Sequence, residues 1–99
     1  MKYPRDLFLG FVKLHILHHA GREAVYGLGL IEQLGRYGYR LSPGTLYPIL
    51  HGLEQERLLA CETRVVEGKL RKYYRLTTTG RTALREGKRK ASELMKELE

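Results

Sequence analysis

A chain of 99 residues has room for one hydrophobic core, and its 42% hydrophobic and 29% charged residues are those of a folded domain, which argues against a multidomain or mainly disordered protein. Lys13 and His15 interrupt the longest apolar stretch, Leu7 to Leu17, so neither a membrane span nor a signal peptide is expected. The net charge of +7 suits a polyanionic partner, and the single cysteine, Cys61, cannot close an internal disulfide, which agrees with a cytoplasmic protein.

Asp6 is placed to cap a first helix running to about His19, with Leu7, Phe8, Phe11, Val12, Leu14 and Leu17 apolar on more than one side. Ala20-Gly21-Arg22-Glu23 reads as a turn in which Gly21 takes the left-handed position that ends helices. A second helix is expected from Tyr26 to about Arg36, burying Leu30, Ile31 and Leu34, with Gly27 and Gly29 weakening its first turn. Gly35 and Gly38 bracket the next turn. Ser42 as N-cap and Pro43 at the first helical position then start a third helix. Leu46, Ile49, Leu50 and Leu53 recur at i, i+3, i+4 and i+7, which leaves Thr45, Tyr47, Pro48 and His51 on the outer side. Pro48 removes one bond of the helical ladder.

From Leu58 the period changes to two, with Leu59, Cys61, Thr63 and Val65 alternating against Ala60, Glu62, Arg64 and Val66, as a strand requires. Glu67-Gly68-Lys69-Leu70 reads as the hairpin loop, and Arg71 to Leu76 as the return strand. Thr77-Thr78-Thr79-Gly80 offers a cap for a last helix of about twenty residues, on which Leu84, Ala91, Leu94, Met95 and Leu98 fall at near-heptad spacing.

Three helices followed by a two-stranded hairpin is the order of a winged helix-turn-helix: a mainly α (α+β) fold with a β wing and a C-terminal helix. One domain is expected over 1–99, the winged helix at about 5–77 and a dimerisation helix at about 78–99. The loop and return strand carry Lys69, Arg71, Lys72 and Arg75 against one acid, Glu67, a balance suited to phosphates, whose contacts position a protein without reading sequence. The third helix opens with free backbone N–H groups, but its outer face has no Arg, Lys or Asn in the first two turns. Base discrimination then falls to hydroxyls, His51, apolar contacts and DNA shape.

Ser42-Pro43-Gly44-Thr45-Leu46-Tyr47-Pro48-Ile49-Leu50, then Leu53-Glu54 and Leu58-Leu59, and then Arg71-Lys72-Tyr73-Tyr74-Arg75-Leu76-Thr77-Thr78-Thr79-Gly80 closely resemble the PadR family of transcriptional regulators; Tyr26-Gly27 also fits. The resemblance spans roughly Leu9 to Leu84. It implies a dimeric regulator, usually a repressor, that binds double-stranded DNA through Ser42, Thr45 and Tyr47 and through the wing residues Lys69, Arg71 and Lys72. Gly44, His51 and Tyr73, on the same two elements, complete the DNA-binding candidates. The resemblance also implies a homodimer made by the C-terminal helix; the near-heptad seam gives Leu84, Ala91, Leu94, Met95 and Leu98 as its contacts, and because Gly87 and Lys88 break strict heptads, Leu7, Phe8 and Phe11 of the first helix are expected to join them. Leu28 and Gly29 stand where many members carry an aromatic and an acidic residue. The single C-terminal helix matches the short members. Residues 81–99 hold no aromatic on which a planar ligand could stack, as it does in some of those. A small-molecule effector, of a class the sequence does not set, is an optional partner.

His15, His18 and His19, at i, i+3 and i+4, could bring two imidazoles to one metal ion. No cysteine or acid pair lies close in sequence, so no metal and no cofactor is assigned, and a metal-responsive repressor using His15 and His19 stands as an alternative. Cys61 reads as a packing residue on its strand. No nucleophile elbow, phosphate-cradling glycine loop or paired acids support catalysis, so an enzyme is not expected. The rival from another class is a winged-helix protein-interaction module that does not read DNA.

Overall fold

The computed structural model describes residues 5–99 and runs α1 (Arg5–Arg22), α2 (Gly27–Gly35), α3 (Pro43–Gln55), β1 (Leu59–Val66), β2 (Lys69–Leu76) and α4 (Thr78–Leu98). The first helix departs from the sequence expectation at both ends. Asp6 lies inside its first turn, where its charge complements the helix dipole without capping it. Gly21 is helical and not left-handed, and α1 continues to Arg22. The cause is tertiary: Gly21 faces Leu76, and a Cβ there would come within 2.9 Å of the leucine Cδ2, so glycine serves as a packing surface here and not as a stop.

After α1 the chain straightens, and Val25 forms a one-residue bridge with Tyr74, its N–H and C=O bonding the Tyr74 carbonyl and N–H at 2.8 and 2.7 Å. A single bridging residue has no periodicity to announce it. Helix α2 is one residue shorter at each end than expected: Tyr26 sits at the N-cap in extended conformation and Arg36 at the C-cap. Leu30 and Leu34 are fully buried, while Ile31 lies at the edge of the core. Gly27 weakens this helix locally and is required tertiarily, since a Cβ would stand 2.6 Å from Cζ of Tyr47.

Helix α3 begins as the sequence dictates. The Ser42 Oγ accepts the Thr45 N–H at 3.3 Å, Pro43 opens the helix, and Leu46, Ile49, Leu50 and Leu53 are buried. Pro48 lies within it, so the Gly44 carbonyl lacks its usual intrahelical donor.

The hairpin turn is tighter than the four-residue loop expected. Glu67 and Gly68 alone form it, with φ of 52° and 79°, the two positive values of a type I′ turn, and Val66 pairs with Lys69. β2 therefore starts at Lys69, two residues before the expected Arg71. The strands project beyond the core at this tip, leaving Val65 and Leu70 70% and 76% exposed, so no buried side marks the alternation there. Thr77 caps α4 as expected. Its Oγ1 accepts the Gly80 N–H at 2.9 Å and donates to the Arg57 carbonyl at 2.6 Å.

Residues from α1 through β2 supply the core. Only Gly80 of α4 is buried, with Leu84 packed at the core's edge, and the rest of the helix extends away, which helps give the molecule extents of 51 × 32 × 20 Å.

Candidate nucleic-acid interface

Ser42, Gly44, Tyr47 and His51 are exposed along α3 and Thr45 is half-buried, so the sequence candidates of this helix do share one element and one side of it. Ser42 and Thr45 also hold the helix start, their hydroxyls 3.3 Å apart. The hydroxyl end of Tyr47 rests against Gly27, and the rest of its side chain is partly exposed.

The wing sorts its cations by pleat. The register places Ala60 opposite Arg75, Glu62 opposite Tyr73, Arg64 opposite Arg71 and Val66 opposite Lys69 on one face. Lys72, opposite Thr63, falls on the other face with the buried Tyr74 and Leu76, so it does not join Lys69 and Arg71. On the first face the side chains interleave. The Arg71 guanidinium lies 4.3 Å above the Tyr26 ring, Tyr26 meets Tyr73 edge to face at 5.5 Å, and the Arg64 guanidinium lies 4.3 Å above Tyr73. Each arginine is thereby held over an aromatic face, with less rotamer freedom to lose when it meets a phosphate. Glu62 bonds Arg64, whose guanidinium holds that carboxyl below its usual range, first by hydrogen bonding and then by charge. Arg71 donates a hydrogen bond to the Tyr73 side chain, the main cause that raises its pKa, so this cation stays charged.

Tyr26 and Arg64 were not among the sequence candidates. Arg64 was within reach of sequence reasoning, because a two-residue Glu67-Gly68 turn sets it opposite Arg71; Tyr26 had no such signal. Tyr26 is the link between the elements: its neighbour Gly27 carries the Tyr47 ring, and its own ring carries Arg71 and Tyr73. Helix α3 and the hairpin are thus linked through Tyr26 and Gly27 into one continuous surface.

The histidines stand elsewhere. The His15 ring lies 4.5 Å from that of Tyr37 and 5.6 Å from Tyr39, and stacks toward His19 at 6.3 Å. Among the described residues no group of three or more His, Cys, Asp or Glu is placed to hold a metal ion. Burial, then the neighbouring His18, lowers the pKa of His15; the same two causes, followed by His15 and Arg22, lower that of His19. Between these lowered values and the ordinary 6.5 the unfolded chain binds more protons than the folded one. Stability is therefore expected to rise with pH through that window and to be lost as pH falls through it. Urea melts between about pH 5 and 8 should show the slope, and His15→Gln should flatten it. Cys61 is half-buried opposite Tyr74, whose phenol burial, then Cys61, pushes up to about 12.

A second surface is apolar. Leu7, Phe11, Leu94, Met95 and Leu98 are exposed, and between α1 and α4 an open groove of about 480 Å³ is lined by Leu7, Phe11, Leu14, Ala91 and Leu94. Two of the residues expected in a dimer contact are partly used within the chain. Leu84 packs on the core, and Phe8 is half-buried, its ring 6.5 Å from that of Tyr39. Among the described residues no helix is long and apolar enough to cross a membrane.

Three helices, a capped third helix and a two-stranded basic hairpin define a winged helix-turn-helix. The sequence model of the transcriptional regulator PadR-like family matches residues 16–86, and the chain belongs to that family. It is 54% identical over 94 residues to the transcriptional regulator Rv3488 of Mycobacterium tuberculosis, covering 95% of this chain and 88% of that protein. Among solved structures it is similar to a PadR family regulator from Eggerthella lenta, with TM-score 0.84 and 34% identity over 94% of this chain and 82% of the other. A PadR-like regulator from Bacillus cereus superposes with TM-score 0.85 and 28% identity, over 94% and 92% of the two chains.

Proposed function

We propose that this transcriptional regulator is a cytoplasmic homodimer that acts by binding and not by catalysis, repressing transcription from a near-palindromic operator. The observation that carries the reading is the continuous surface from α3 to the wing. Its helix N-terminus can receive a phosphate, and its arginines are preorganised for the flanking backbone. Two copies, joined through the apolar groove of α1 and α4, would set their α3 helices in successive major grooves about 34–36 Å apart. Thr45, Tyr47 and His51 would read base edges and methyls, while Lys69, Arg71 and Arg64 grip phosphates. Because the strongest bidentate readers are missing from the start of α3, DNA shape would supply part of the specificity. The two domain parts would divide the work accordingly, 5–77 reading DNA and 78–99 joining the copies.

Selection from random-sequence duplexes should enrich one palindromic motif; enrichment of none would favour a protein-interaction module. On that motif, Lys69→Ala with Arg71→Ala is expected to weaken binding by roughly ten- to a hundredfold near 0.1 M salt, and to flatten the salt dependence by about 0.9 unit per lost phosphate contact. Fluorescence anisotropy over a salt series checks both, and an unchanged slope would refute the wing's role.

A further inference from the structure

A second concavity shares no residue with the candidate DNA interface. It lies between the C-terminal end of α1 and the N-terminal half of α4 and has a volume of about 340 Å³, within the usual range for small-molecule sites. Arg22, Arg81, Arg85 and Lys88 surround it, Leu76 and Leu84 are apolar parts of its lining, and no carboxylate lines it. The ion pairs among the described residues join Glu32, Glu62, Glu86 and Glu93 to Arg36, Arg64, Arg89 and Lys90, so none engages these four cations.

Helix electrostatics explains one of the four and not the rest. Arg22 stands in the last turn of α1, where a cation complements the dipole. Arg81 and Arg85 stand in the first two turns of α4, at the end where the dipole is already positive, and the first turn has no acid to offset them. The dipole therefore favours an acid over a cation near Arg81, and no ion pair within the chain offsets either arginine. A bound anion would relieve the repulsion among the cations and complement the helix end together.

We propose that this cleft binds a small organic phosphate. Three guanidinium forks and an ammonium exceed what one carboxylate can pair, and they suit the several oxygens of one or two phosphate groups, with Leu76 and Leu84 receiving the apolar part. The strand that ends at Leu76 carries Arg71 at its other half, so the ligand sits at the base of the wing. Its use as an effector rests on the DNA-regulator reading above; its binding does not.

The test is calorimetric titration and thermal melting of the full chain with inorganic pyrophosphate and with ADP, against sodium chloride at matched ionic strength. Both phosphates are expected to bind and to raise the melting midpoint by at least about 4 °C at ten times their dissociation constant, and Arg81→Gln with Arg85→Gln should weaken them at least tenfold. An equal rise with sodium chloride, unchanged binding in the double variant, or loss of pyrophosphate binding in Lys69→Ala/Arg71→Ala would each overturn the proposal. Loss of operator affinity in the Arg81/Arg85 variant would make the cleft a DNA backbone contact. Its conversion to a monomer would assign these cations to the acids of a second copy. Either result also overturns the proposal, and neither depends on whether an effector alters transcription.

Discussion

Leu94→Asp is expected to convert the protein from dimer to monomer and to lower operator affinity by about two to three orders of magnitude, because the second half-site contact is then no longer intramolecular. Leu94 is 42% exposed in the single chain and lines the groove between α1 and α4. Removing it therefore leaves no hole in the core, and the domain's own stability should change by no more than about 0.5 kcal/mol. At the proposed contact the result differs, since an aspartate forced against Leu7, Phe11 and Ala91 of a joined surface would be desolvated without a partner. Sedimentation equilibrium reads the mass, and anisotropy reads the affinity. The melting midpoint of the unaltered protein should also rise with concentration, and that dependence should vanish in the variant. A Leu94→Asp protein that stays dimeric would remove α4 from the contact.

Gly80→Ala is expected to destabilise the fold by about 3 kcal/mol or more, a fall of at least about 12 °C in melting temperature. Gly80 is buried in the first turn of α4, and a Cβ there would stand 3.1 Å from the Leu58 carbonyl carbon and closer still to its oxygen and to Leu76 Cδ1. That oxygen already accepts the Thr77 N–H and Oγ1, both at 3.1 Å. The methyl must therefore push α4 off the base of the hairpin and break the cap that starts it. Gly52→Ala, in α3, is the control: its Cβ meets nothing within 4 Å, and the variant should be neutral or more stable by up to about 1 kcal/mol. Equal melting curves for the two variants would refute the close-approach account.

Much of the fold was legible along the chain. The Ser42 cap, Pro43 and the i, i+3, i+4, i+7 stripe of α3 are local signals, and each appears in the structure as read. Thr77 as the cap of α4 is another. Errors arose from a distant partner in one case and from the geometry of the hairpin in the others. Gly21 reads as a helix stop, and Leu76 makes it a helical packing position. Lys69 and Leu70 read as loop because the wing tip is solvated on both faces. Lys69, Arg71 and Lys72 read as one cluster, and the pleat puts Lys72 on the opposite face.

The charge class, the element order and the two motifs that place the chain in its family are properties of the sequence alone, because caps, turn residues and periodicity act over a few residues. The joined surface belongs to the tertiary structure. Tyr26 reaches Arg71 and Tyr73 only after Val25 bridges to Tyr74, and Tyr47 seats itself on a glycine of another helix. In the cleft, Arg81, Arg85 and Lys88 already share one side of α4 at i, i+4 and i+7, and the packing of α1 against α4 adds Arg22 and encloses the space. Cation–π stacking and like-charge crowding depend on separations of a few ångströms, and between residues far apart in sequence those are set by packing.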